Sequence, residues 1–253
     1  MTNLKILATA FVLSVAFSAS PVLANNNKTP GGDPCGTGPG TGTGNPCKGN
    51  NGNVGKNGNV EEDDGIDIVE NPGPISIAMP AVSGRTAFID QIGNGNSASI
   101  TQTAPNAYAK AIQNGDQNRV QVAQRGTGTG YFDARQTGHF NIAAVIQDGP
   151  GRNVLYLAQS GLSNVANANQ YGGGFGHNGA QMTQTGTGHS MDLNQTGSNN
   201  VALLDQGGSG NALSVSQSNG SQLSFSQQGT GLSFSIAQGG GALAITQVNP
   251  LVK

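Results

Sequence analysis

QIGNGNSASITQ, residues 91–102, decides the fold. Ahead of Gln102 stand Ala98 and Ile100, with Ser99 and Thr101 between and after them. Apolar and polar residues alternating with period two describe a half-buried strand whose inward face carries the glutamine. The stretch IGNGN ahead of it is rich in the residues that tight turns require. The same alternation precedes other glutamines: Ala87, Ile89, Gln91; Val120, Val122, Gln124; Leu155, Leu157, Gln159; Leu243, Ile245, Gln247. Glutamine recurs at 91, 102, 113, 124, 136, 147, 159, 170, 184, 195, 206, 217, 228, 238 and 247, mostly 11 or 12 residues apart. A fixed period of this kind marks a repeat architecture, each unit one short strand and one turn. The 41 glycines and the absence of a 3.6-residue period exclude helix.

A second regularity groups the strands. Q-x-G-x-x-N stands at Gln91, Gln113, Gln136 and Gln159, and is missing after Gln102, Gln124, Gln147 and Gln170. The repeat in this half is therefore about 22 residues, strand–turn–strand–turn, and two strands per rung imply two facing sheets. The expected fold is all-β: a β-solenoid of about seven 22-residue rungs over residues 83–253, its two sheets parallel. At ~4.8 Å per rung its body would be ~34 Å long. Stacking sets like residues above one another, so buried amides can hydrogen-bond from rung to rung. The expected ladder comprises Gln91, Asn96, Gln102, Gln113, Asn118, Gln124, Gln136, Asn141, Gln147, Gln159, Asn164, Gln170, Gln184, Gln195, Asn200, Gln206, Asn211, Gln217, Gln228, Gln238 and Gln247. His189 and Gln222 are read as standing where an asparagine of the pattern is due. Ile89, Val122, Val145, Leu157, Leu193, Leu204, Val215, Phe234 and Ile245 are expected to fill a thin interior.

The rest of the chain sets the context. Charged residues are only 9% of the 253, and the formal net charge is −2. That removes the basic face nucleic acid needs. Residues 1–24 read as a signal peptide: a positive start at Lys5, an apolar run from Ile6 to Phe17, and a small-residue exit at Ala24. The run is too short for a membrane span, and no transmembrane segment is expected in the mature chain. Residues 25–82 read as a flexible Gly/Asn-rich and acidic linker, with Glu61, Glu62, Asp63, Asp64, Asp67 and Glu70 as a solvated cluster. Cys35 and Cys47, in an oxidising compartment, are read as a structural disulfide. Neither a zinc site nor a catalytic C-x-x-C pair is supported, and no cofactor is expected.

Both ends of such a solenoid are expected to be open strand edges, which are templates for another chain unless capped. No cap is legible at the C-terminus, and no charged residue stands between Gln206 and Val252. Charged gatekeepers cluster earlier, among them Lys110, Asp116, Arg119 and Asp133.

These residues resemble the repeat of the curlins, the subunits of bacterial curli fibres. Q-x-G-x-x-N-x5-Q stands at Gln91/Gly93/Asn96/Gln102, Gln113/Gly115/Asn118/Gln124, Gln136/Gly138/Asn141/Gln147 and Gln159/Gly161/Asn164/Gln170. It recurs at Gln195/Gly197/Asn200/Gln206 and Gln206/Gly208/Asn211/Gln217. The resemblance covers residues 83–250 and implies a functional amyloid of the biofilm matrix, secreted and assembled as extracellular fibres at the bacterial surface. It implies self-association, a nucleator subunit, and a dedicated outer-membrane secretion channel addressed by the Gly/Asn-rich segment. The alternatives are a minor nucleator subunit and a monomeric β-solenoid adhesin. An enzyme is the remotest reading: His139, His177 and His189 fall in turns, and Asp90, Asp133, Asp192 and Asp205 alternate outward.

Overall fold

The computed structural model describes residues 65–174 and 176–249. The signal-peptide segment, Cys35, Cys47 and the acidic residues 61–64 lie outside them. The described residues form strands and turns without helix. In chain order the strands are β1 (Ile66–Glu70), β2 (Arg85–Ile92), β3 (Ser97–Gln102), β4 (Asn106–Asn114), β5 (Arg119–Gln124), β6 (Thr129–His139), β7 (Ile142–Asp148) and β8 (Arg152–Leu162). There follow β9 (Val165–Gly172), β10 (His177–Thr187), β11 (Ser190–Gly197), β12 (Val201–Ser209), β13 (Ala212–Ser218), β14 (Gln222–Thr230), β15 (Ser233–Gln238) and β16 (Ala242–Val248).

From β2 onward the even strands stack into one sheet and the odd strands into a second. All neighbours among these fifteen strands are parallel. The described residues wind through seven complete two-strand rungs and a half rung, β16, so from β2 onward the even sheet runs one strand further than the odd sheet. Register is fixed by the glutamines, Gln136 opposite Gln159 and Gln147 opposite Gln170. A one-residue slip would turn every inward side chain to solvent.

The interior is one thin cluster drawn from both sheets. Large and small residues are shared out within rungs: Phe132 and Ala134 with Ala143 and Val145, then Leu155 and Leu157 with Ala166 and Ala168. Such pairing keeps the inter-sheet spacing constant at close-packed density. Ile89 departs from the expected interior: it lies on the first strand, 45% exposed, because no rung precedes it.

Two findings correct the sequence reading. Residues 66–82 are not a solvated linker. Ile66–Glu70 forms β1, which pairs antiparallel with β16 at the far end of the even sheet, Ile66 opposite Gln247. A cap therefore does cover this edge, supplied from the N-terminal side of the repeats. Residues 71–84 then run back across the outside of the even sheet. Ile75 N donates to Gln222 Oε1 at 3.0 Å, Tyr156 Oη donates to the Ala78 carbonyl at 3.3 Å, and Ala107 N donates to the Gly84 carbonyl at 2.8 Å. Gly179 leaves room for Ile77 and Met79, since a Cβ there would stand 2.8 Å from Met79 Cε. Beneath this strap the outward-facing Val154 is wholly buried. The alternation Ile75, Ile77, Met79, all half-buried with Ser76 and Ala78 exposed between them, is the period-two signal for it.

Candidate functional site: the amide ladders and the strand edges

Each sheet carries one continuous glutamine column. In the even sheet Gln91, Gln113, Gln136, Gln159, Gln184, Gln206, Gln227 and Gln247 are joined in turn, each Nε2 donating to the Oε1 of the next at 2.5–3.0 Å. In the odd sheet Gln102, Gln124, Gln147, Gln170, Gln195, Gln217 and Gln238 do the same at 2.8–3.2 Å. Every bond points the same way, toward the C-terminal rung. From Gln102 to Gln238, between the two end glutamines, the second Nε2 hydrogen goes to a backbone carbonyl of the facing sheet. Gln136 donates to Arg119 O at 3.0 Å, Gln147 to Tyr131 O at 2.9 Å and Gln170 to Val154 O at 3.0 Å. The ladder thus ties rung to rung and sheet to sheet, satisfying amides that would otherwise be costly to bury.

Gln228 is not in the column. Gln227 takes the place, wholly buried, while Gln228 points outward and donates to Asp205 Oδ2 at 2.7 Å. The rung from Gln206 is 21 residues long, one shorter than the period used to place the glutamine. Gln227/Gly229 preserves Q-x-G, and Leu223 and Phe225 both face inward with Gln227, so the signal was present.

The asparagines form two columns at opposite edges. Asn96, Asn118, Asn141, Asn164, His189 and Asn211 line the turns that leave the even strands. Asn141 N donates to Asn118 Oδ1 at 3.1 Å, and Asn118 Nδ2 to the Gly138 carbonyl at 2.8 Å. His189 occupies an asparagine place: its Nδ1 accepts from Asn211 N at 3.3 Å and its Nε2 lies 3.1 Å from the Thr185 carbonyl. Asn200 belongs to the opposite edge, with Asn153 and Asn178, which the pattern had missed because the turns after Gln147 and Gln170 lack Q-x-G-x-x-N. Ser221, not Gln222, continues that column, its N donating to Asn200 Oδ1 at 3.1 Å.

Outside the even sheet Tyr108 and Tyr131 stack, ring centroids 4.9 Å apart, and Tyr156 follows at 5.4 Å. Desolvation, then the neighbouring Tyr156 and Asp133, push the Tyr131 hydroxyl up to about 12. The folded state therefore holds this proton more tightly than the unfolded chain, whose tyrosine titrates near 10. The stabilisation is full below about pH 10 and is lost as pH rises through about 12. Thermal melting should thus fall between pH 10 and 12, and Tyr131→Phe should flatten that fall. An unchanged slope would remove Tyr131 as its source.

Two of the three histidines make no shared site. His139 is exposed, its Nδ1 3.6 Å from Asp116 Oδ2, and His189 lies buried in the asparagine column. Among the described residues no three His, Cys, Asp or Glu side chains are grouped to hold a metal ion, and no helix is long and apolar enough to cross a membrane.

What the arrangement offers is edges. At the N-terminal end β2 is exposed along its whole length, with Phe88 48% and Ile92 60% exposed, and β3 ends the odd sheet beside it. At the other end β15 ends the odd sheet with no strand paired beyond it among the described residues, while β16 carries β1. Residues 190–218, spanning β11, β12 and β13 up to Ser218, match the family model of the curlin associated repeat. No curated protein matches the chain.

Proposed function

We propose, from a chain that carries the curlin associated repeat in a parallel two-sheet solenoid, that this protein is a structural subunit of extracellular curli-like fibres. One observation carries the reading: amide ladders of a single polarity run through every parallel rung and stop at strand edges. In the even sheet, a second copy whose β2 took the place of β1 on β16 would meet the hydrogen-bond pattern that each internal strand of that sheet meets. Gln247 of one copy would donate to Gln91 of the next, as Gln227 donates to Gln247 within the chain.

The wider reading follows the resemblance. The chain is exported, passes an outer-membrane secretion channel, starts growth on a nucleator subunit and serves adhesion and the biofilm matrix at the bacterial surface. Residues 1–24 act as the signal peptide, the Gly/Asn-rich segment that follows addresses the channel, and residues 83–253 are the repeat body. The amide columns serve structure, and Cys35 with Cys47 forms a bridge. The part of the chain is structural, without catalysis, metal or cofactor.

A second reading, a monomeric surface adhesin, is favoured by the strand that covers β16. Thioflavin-T fluorescence with electron microscopy on protein diluted from denaturant separates the two. The expected result is a lag, then fibres that seed fresh protein. A protein that folds to β-structure and stays monomeric would overturn the fibre reading.

A further inference from the structure

We propose that β1 is a latch: an acidic strand held in cis over the C-terminal edge of the even sheet, which must be displaced before a second copy can add there. The inference rests on the fibre reading above and names the device that governs it.

Three observations place the latch. First, β1 occupies the hydrogen-bonding edge of β16 that an incoming parallel strand would need, with Val248 N donating to Gly65 O at 2.7 Å and Asn71 N to Ala242 O at 3.0 Å flanking the pair. Second, it ends the amide column. The residue opposite Gln247 is Ile66, whose apolar side chain does not continue the column of glutamine side chains. Third, its own outer edge is a poor template. It has five residues, against seven in β16, and carries Asp67 and Glu70, both exposed. Short, charged edge strands are how sheets avoid pairing with other chains. Elsewhere on the C-terminal rungs charge is absent from Gln206 to Val252, so β1 brings to this end the charge that its own sequence lacks.

The strap makes the latch reach. Residues 71–84 join β1 at one end of the solenoid to β2 at the other. Fourteen extended residues span about 50 Å at most, against ~38 Å for the eight strand spacings that separate β1 from β2 in the even sheet. The same chain can therefore cover its own far end with little slack.

The latch is also built to open. Ile68 faces inward, opposite Ile245, yet is 54% exposed, because the odd sheet stops at β15, two strands short of β1. Val69 is 47% exposed. A strand at a sheet end with only Ile66 packed against the core belongs to the least stable part of a structure and opens locally before the body unfolds.

A reversible lock tests this. Asp67 and Thr246 are register partners on the outward face, and antiparallel partners stand about 4.5–5.5 Å apart at Cα, within reach of a disulfide. In a protein with Cys35→Ser and Cys47→Ser, the pair Asp67→Cys and Thr246→Cys closes the latch when oxidised and frees it when reduced. Seeded fibre growth of the oxidised protein should slow several-fold and recover on reduction, and a chain lacking Ile66–Glu70 should grow faster than the parent. Equal growth in oxidised and reduced forms, with fibres present, overturns the latch and leaves the fibre reading standing. Absence of fibres from every form, reduced and deleted included, overturns the fibre reading and the latch with it.

Discussion

Gln159→Leu should destabilise the solenoid by more than a typical core substitution, although leucine has a similar volume and is more apolar. Gln159 is about 1% exposed and sits mid-column. Its Oε1 accepts from Gln136, and its Nε2 donates to Gln184 Oε1 at 2.9 Å, to Ile142 O at 3.0 Å and to Asn164 O at 3.1 Å. Leucine answers none of these groups, and water cannot reach them. Each buried polar group left unpaired costs roughly 1–3 kcal/mol. The sum should exceed the roughly 0.5–3 kcal/mol usual for single substitutions. Gln121→Leu is the matched control, because Gln121 alternates outward on β5 and is exposed. Its expected change is within about 0.5 kcal/mol. Urea unfolding midpoints of the two variants decide the matter: equal midpoints would mean that the column does not hold the rungs together.

The second large effect is expected at Gly161→Ala. Gly161 has φ +120°, where L-residues are strained, and a Cβ there would run into the carbonyl oxygen of Gly186 in the next rung. Gly93, Gly115, Gly138, Gly186 and Gly208 repeat the arrangement, each Cβ position aimed at the next rung's glycine carbonyl. The substitution thus adds roughly 1–3 kcal/mol of backbone strain to a clash that only wider rung spacing relieves. Wider spacing would also break the amide bonds on either side. Gly188→Ala separates the two causes: Gly188 has φ +68° and open space where its Cβ would stand. It should show strain alone. If both variants unfold at the same denaturant concentration, the close stacking of the glycine turns contributes nothing beyond the dihedral cost.

The two substitutions also explain why so much of the fold was legible in the chain. A parallel stack repeats one local solution, so each constraint reappears at a fixed interval: Gln at the strand end, Gly two residues later, Asn five residues later. Where a rung keeps its length, counting finds the residue. Where length changes, counting fails and side-chain alternation is the better guide. The rung from Gln206 is one residue short, which moved the ladder from Gln228 to Gln227. The insertion after Gln170 lengthens its rung to 25 residues, yet Gln170 still donates to Gln195 at 2.8 Å. The column is kept because an unpaired buried amide costs more than a longer turn. Asn153 and Asn178 escaped notice for a related reason: their column is set by the edge it lines, not by a fixed distance from a glutamine.

The sequence by itself determined the strand period, the two-sheet parallel rung and the inward amides, because these follow from alternation and spacing within about 22 residues. Only the tertiary structure decided what becomes of the ends. IDIVE at 66–70 reads in sequence as part of an acidic linker, and nothing in its neighbours says that its partner lies at residues 243–247. That pairing exists because the repeats fold into a body whose far edge lies within reach of a fourteen-residue strap, and because the even sheet ends one strand beyond the odd. Local pattern specifies each rung. The edge left over is a property of the whole stack, so its occupant is chosen by distance in space and not by position in the chain.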